Sequence, residues 1–171
     1  MGETGILAPD ARVELIDGEI VDMSPIGDRH AICVARLTRL LSAQAGNSAI
    51  VWPQNPIRLP DLSEPQPDLA LVRPPMERYS SGKPGPADIF LIIEVAESSL
   101  VNDLEVKGPL YTRFAIPEYW IVDIAGNQLL LFSDPADGKY RASSVARPGQ
   151  VLVPRFLPEV SVAVSEVLGV D

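Results

Sequence analysis

The run from Ile89 to Ile93 constrains this chain more than any other feature. Five uncharged apolar residues lead directly into Glu94, and Val95 and Ala96 follow. A short apolar run with β-branched members predicts a central strand covered on both faces. Burying a carboxylate there costs on the order of several kcal/mol unless it is paired, protonated or metal-bound. Glu94 therefore stands where local patterning asks for valine or isoleucine, and such breaks mark candidate functional sites. On the strand alone, an exposed strand end or an arginine partner explains Glu94 at least as well. The rest of the chain shifts that balance.

The 171 residues predict a single domain spanning 1–171, large enough for a substantial core, and an apolar content of 46% excludes disorder. No stretch approaches the length of a membrane helix, and MGETGILAPD lacks the basic-then-apolar pattern of a signal peptide. A single cysteine, Cys33, forms no internal disulfide and reads as a small core residue; a reducing cytoplasm is the expected compartment. With one histidine and one cysteine, a Cys/His zinc site is excluded. The net charge of −9 argues against strong non-specific nucleic-acid binding, while leaving room for a local basic groove.

Arg12–Ile16, Asp17-Gly18 and Glu19–Ser24 predict a hairpin with an Asp-Gly turn, which places Glu14 in its first strand. Asp28–Ala45 predicts a helix with Asp28 at the N-cap and Cys33, Leu37, Leu40 and Leu41 on one face. His30 falls in its first turn. Arg29, Arg36 and Arg39 fall within roughly 80° of one another on the other side, a stripe that suits phosphates, a dimer contact or solvent. Ala49–Leu59 predicts an irregular or edge strand because of Pro53 and Pro56. Nine of the 17 prolines lie between Pro53 and Pro86, so that segment is loop-rich around one strand, Asp68–Val72. The loop Arg73–Ala87 is long enough to cover a cleft.

Beyond the central strand, Leu104, Lys107, Leu110, Tyr111 and Phe114 share one face of a helix expected from Asn102 or Asp103, with a kink or tight first turn near Pro109. Lys107 therefore lies on an apolar face, where a lysine either snorkels to the rim or aims at a buried acid. Glu118–Asp123, Gln128–Asp134 and Lys139–Val145 predict further strands, the last two forming a hairpin turning over Asp134–Gly138. A strand-like Ser161–Val164 and a helical turn at Ser165–Leu168 close the chain.

Asp68 opens one strand and Glu94 stands near the end of the next. Antiparallel pairing would bring both carboxylates together, an oxygen-only set suited to Mg²⁺ or Mn²⁺. Lys107 would then reach the same place from the helix, to hold a water or stabilise charge on a phosphorane-like transition state. Pro-Asp alone is a weak signal, occurring three times, at residues 9, 60 and 67. The lysine on an apolar helix face is the sharper one.

The segments ELIDGEIVDMSP, QPDLALV, LIIEVAESSLVNDLEVKGPLY and IPEYWIVD, with His30 on a helix, resemble the bacterial Uma-two family, restriction-endonuclease-like proteins of the PD-(D/E)XK nuclease superfamily. The resemblance runs from about Glu14 to Glu166. It implies an α/β (α+β) fold: a restriction-endonuclease-like mixed β-sheet flanked by helices, with an N-terminal β-hairpin and a site at one end of the sheet. By position, Asp68 is the Asp of the PD motif and Glu94 the acid of (D/E)XK. Ala96 stands where the motif has lysine, so the resemblance implies that the lysine has moved to Lys107. It also pairs Glu14 and His30 with the site.

Together these expectations describe a metal-dependent nuclease acting on DNA, with Asp68 and Glu94 on Mg²⁺ or Mn²⁺, Lys107, Glu14 and His30 in the site, and Arg29, Arg36 and Arg39 available to phosphates. Two cuts on a duplex call for a homodimer. A non-catalytic binding module on the same fold, or a purely structural Glu94–Lys107 ion pair, are the competing readings.

Overall fold

The computed structural model describes residues 12–23 and 25–170. MGETGILAPD, with its Pro9-Asp10, and the strand end expected at Ser24 lie outside the described residues.

The centre is a mixed six-stranded sheet in the order β3 (Ile50–Pro53), β4 (Leu69–Val72), β5 (Ile89–Ala96), β6 (Glu118–Asp123), β7 (Gln128–Ala136) and β8 (Lys139–Ala146). Only β5 and β6 run parallel; the other neighbours are antiparallel. This is the mixed sheet expected, with β3 at one edge. β5 is buried along its length apart from a half-buried Phe90. Leu91, Ile93 and Val95 pack with Cys33, Leu37 and Leu41 of α1 (Asp28–Ala45). Ile92 and Ala96 point the other way, toward Leu110, Tyr111 and Ile116. Each fully buried aliphatic side chain contributes about 1.5–3 kcal/mol, so covering both faces fixes β5 at the centre. Glu94 shares the face of Ile92 and Ala96 by the two-residue period.

The parallel pair requires a crossover, formed by α2 (Leu100–Asn102), a π-helical turn over Asp103–Lys107 and α3 (Gly108–Arg113). The irregularity expected at Pro109 lies one turn earlier. Proline lacks an N–H and crowds the carbonyl four residues back, and a widened turn directly before it relieves both. The extra residue turns Asp103 and Lys107 inward, whereas Leu104, expected on the buried face, is 37% exposed.

A separate hairpin, β1 (Val13–Ile16) and β2 (Glu19–Asp22), lies over the α3 side, with Ile16 in that core. Its turn has positive φ at both Asp17 and Gly18, the type I′ geometry that Asp-Gly favours. β7 and β8 turn the same way through Asp137 and Gly138, so these strands run further than expected, with only two residues between them. The N-cap of α1 is Gly27, without a side-chain cap, and Asp28 is already its first residue. β9 (Val151–Leu152), β10 (Val162–Ala163) and α4 (Val164–Leu168) complete the α1 side. Among the described residues, no helix is long and apolar enough to cross a membrane.

Candidate active site at the end of the sheet

The antiparallel register Leu69↔Ile93 continues to Asp68 beside Glu94. The two are locked by reciprocal contacts. Asp68 N–H lies 3.3 Å from Glu94 Oε2, and Val95 N–H donates to Asp68 Oδ2 at 2.8 Å. The polar groups at the end of each strand thus orient the other strand's acid.

Glu94 is 3% exposed. Its Oε1 accepts from Lys107 Nζ at 3.0 Å and from the Tyr111 hydroxyl at 2.8 Å, so both lone pairs of that oxygen are taken. Lys107 also lies 3.1 Å from Glu14 Oε1, which accepts the Gln66 N–H at 2.7 Å. His30 Nε2 meets Asp68 Oδ1 at 2.8 Å, and its backbone N–H lies 3.3 Å from Glu97 Oε2. Asp103, also buried, accepts from Ser99 Oγ at 2.6 Å. All five residues singled out in the sequence, Glu14, His30, Asp68, Glu94 and Lys107, therefore line one cleft of about 230 Å³.

Electrostatics follow from this crowding. Burial pushes the Glu94 carboxyl up, to about 8; Lys107 opposes the shift, and Asp68, Asp103 and Glu14 reinforce it. Lys107 moves upward, because the attraction of Glu94, Glu14 and Asp103 exceeds the burial penalty on its ammonium. It is held as a cation. The hydrogen bond to Asp68 raises His30 above its ordinary value against partial desolvation. Six acids line the cleft (Glu14, Asp22, Asp68, Glu94, Glu97 and Asp103) against Arg12, Lys107 and His30. Such a surplus favours an added cation.

Among the described residues, no three His, Cys, Asp or Glu side chains converge as a metal cage. The available set is two carboxylates, a number Mg²⁺ commonly takes from protein, with water and substrate phosphate completing its shell. With Oε1 of Glu94 saturated, Oε2 and the Asp68 carboxylate are the oxygens left to ligate. The donor chemistry is compatible with Mg²⁺ or Mn²⁺.

Sequence reasoning missed Tyr111 and Asp103 as polar members of this cluster. Asp103, Lys107 and Tyr111 are spaced by four, a signal available in the sequence; Tyr111 read only as part of an apolar face. The long loop Arg73–Ala87, expected to be able to cover a cleft, does not line this one. The arginine stripe also divides. Arg29 and Arg36 donate to the carbonyls of Ile124 and Leu168, while Arg39 lies apart, near Pro53 and Gln54.

A family model for Uma2, described as "Putative restriction endonuclease", matches residues 4–165, nearly the whole chain. The chain belongs to the Uma2 family. A solved structure from Anabaena variabilis, described as "a putative nuclease belonging to DUF820", superposes with a TM-score of 0.70. The match covers 92% of this chain and 89% of that one at 13% identity, a likeness of fold. Comparison with curated proteins gives no match. Uma2 membership and this neighbour agree with the restriction-endonuclease-like sheet and the N-terminal hairpin read from the sequence.

Proposed function

We propose that this Uma2 chain is a divalent-metal-dependent endonuclease that hydrolyses DNA phosphodiester bonds, working as a single domain and pairing as a homodimer in a reducing cytoplasm. The observation that carries this reading is the convergence of Asp68 and Glu94 from adjacent strand ends, with a buried lysine on the same carboxylate. Asp68 and Glu94 would hold Mg²⁺ or Mn²⁺, which when bound supplies Lewis acidity toward a phosphate oxygen and lowers the pKa of water.

The protein's own groups do the rest. Lys107 remains protonated, so it serves as a fixed positive charge beside the reacting phosphate and not as a base. Tyr111 holds Glu94 in one rotamer and Glu14 holds Lys107 from the other side. His30 holds a proton at Nε2 against Asp68, in reach of groups entering the cleft.

Supercoiled plasmid incubated with Mg²⁺ or Mn²⁺ should be nicked or linearised by the wild type. Asp68→Asn and Lys107→Ala should lose cleavage. A wild type that leaves plasmid, linear duplex and single strands intact under both ions overturns the nuclease reading. A second reading, a non-catalytic binding module on the same fold, is favoured by the saturation of Glu94 Oε1, which makes the ion network self-contained. It predicts partner binding that survives Asp68→Asn.

A further inference from the structure

A second cavity, about 220 Å³, lies on the other side of the first turns of α1 from the cleft. It is lined by Arg29, Arg36, Ile32, Cys33, Ile124, Asn127, Leu168 and Val170. Among the described residues no carboxylate side chain lines it, in a chain whose net charge is −9. Both guanidinium groups are held from behind. Arg29 Nη2 lies 3.4 Å from the Ile124 carbonyl and Arg36 Nη1 lies 3.2 Å from the Leu168 carbonyl, each using one of five N–H donors. The Leu168 carbonyl ends α4, where the helix dipole also favours a cation. Burial pushes the Cys33 thiol up to about 12, so it stays neutral and cancels none of this charge.

The position relates this cavity to the cleft. Ile124 N–H bonds the Ala96 carbonyl, so the ends of β5 and β6 lie side by side. Glu97 after β5 belongs to the cleft, and Ile124 after β6 belongs to the basic cavity. Consecutive residues of α1 serve the two: His30 reaches Asp68, and Arg29 reaches Ile124. Arg29 and Arg36 are seven residues apart, about 10.5 Å along the helix axis. That is close to the axial advance of about three nucleotides, at ~3.4 Å each.

We propose that the Arg29–Arg36 cavity is a subsite for the phosphate backbone of a nucleic-acid strand that leaves the acidic cleft over the start of α1. The cleft itself repels phosphate unless a cation is present. The flanking arginines supply attraction outside it, oriented in advance by the carbonyls. This subsite rests on the neighbouring cleft being a nucleic-acid site, and it separates binding from cutting. Arg39, on a different surface, takes no part.

The test is binding of a short fluorescein-labelled DNA duplex in Ca²⁺, followed by anisotropy across a series of KCl concentrations. Wild type, Arg29→Gln, Arg36→Gln and the double variant are compared, with circular dichroism to show that each is folded. Each lost phosphate contact should lower the slope of log K against log salt by about 0.9, and the double variant by about twice that. Arg29→Gln carries the test if Arg36→Gln, which also loses its bond to Leu168, fails to fold. Arg39→Gln should leave the slope unchanged. An unchanged slope in folded Arg29→Gln overturns the subsite, and so does a wild type that binds no DNA. A wild type that cuts plasmid with the slope unmoved leaves the nuclease reading standing and removes only the subsite. Binding with the predicted slopes but no cleavage does the reverse.

Discussion

The ammonium of Lys107 lies 3.0 Å from the carboxylate of Glu94, on a helical turn that carries one residue more than an α-helix would. Both groups are almost fully buried, and Glu14 shares the lysine. Breaking such a pair from one side strands a charge. Lys107→Met should therefore cost about 3–5 kcal/mol in urea unfolding at about pH 9, where Glu94 is ionised. Adding Glu94→Gln to that variant should recover part of the loss. If the double variant is as unstable as the single, the lysine acts through packing and not through its charge.

Tyr111→Phe removes one of two donors on Glu94 Oε1 and nothing else. A hydrogen bond to a charged group contributes about 1.5–3 kcal/mol, so a measurable fall in stability is expected at about pH 9, where Glu94 is ionised. Groups that orient metal ligands alter affinity by roughly 10–100-fold when removed. Calorimetric titration with Mn²⁺ should show a loss toward that range for Tyr111→Phe. Equal affinities in the two proteins would show that Lys107 and the Asp68 N–H suffice to set the position of Glu94.

The site is expected to bind a divalent cation more tightly as pH rises. Glu94, lifted to about 8 by burial, retains its proton through neutrality, and a cation must displace it. Mg²⁺ affinity should climb by up to about tenfold per pH unit below that value and flatten above it. An affinity independent of pH between about 6.5 and 8.5 would place the ionisation of Glu94 in the ordinary carboxylate range.

His30 gives the metal-free protein a different pH signature. Its folded pKa is raised by Asp68, so its stabilising contribution is complete below about 6.5 and is lost as pH rises through the folded value. The urea midpoint should fall over that window in the wild type, and this component of the fall should vanish in His30→Asn. The same slope in both proteins would assign the effect elsewhere.

Gly27→Ala tests the start of α1. The backbone there, at φ −83°, accepts any residue, but a methyl group would lie 2.2 Å from Glu97 Oε2. Glu97 must swing away, and the His30 N–H loses its acceptor. Loss of a first-turn acceptor of this kind costs about 1 kcal/mol. Unfolding midpoints that match the wild type would mean that solvent replaces Glu97 without penalty.

Much of this arrangement was legible in the sequence because it departs from local patterning. Glu94 interrupts an apolar strand and Lys107 interrupts an apolar helix face, and in the structure each explains the other. The Asp68–Glu94 pairing followed once two neighbouring strands were read as antiparallel. What escaped was local geometry that side-chain pattern does not encode. The widened turn reassigns faces, so Asp103 goes in and Leu104 comes out, against a regular 3.6-residue period. The arginine stripe divides for a related reason. Angular proximity on a helix says nothing about which neighbours take hold of each side chain: the carbonyls of Ile124 and Leu168 hold Arg29 and Arg36, while Arg39 lies near Pro53 and Gln54.

The position of Lys107 on the crossover, and not on β5 beside Glu94, also alters the order in which the parts come together. A nascent chain ending at residue 106 already contains Asp68 and Glu94 but no Lys107. Even the complete polypeptide has no ammonium at Glu94 until the crossover helix has docked on the sheet. The β4–β5 pairing that sets Asp68 beside Glu94 does not involve the crossover, whose docking is the step that assembles the charge cluster. Folding of the crossover and completion of the charge cluster are then one event, and a partly folded chain carries the acids without the ammonium that faces them.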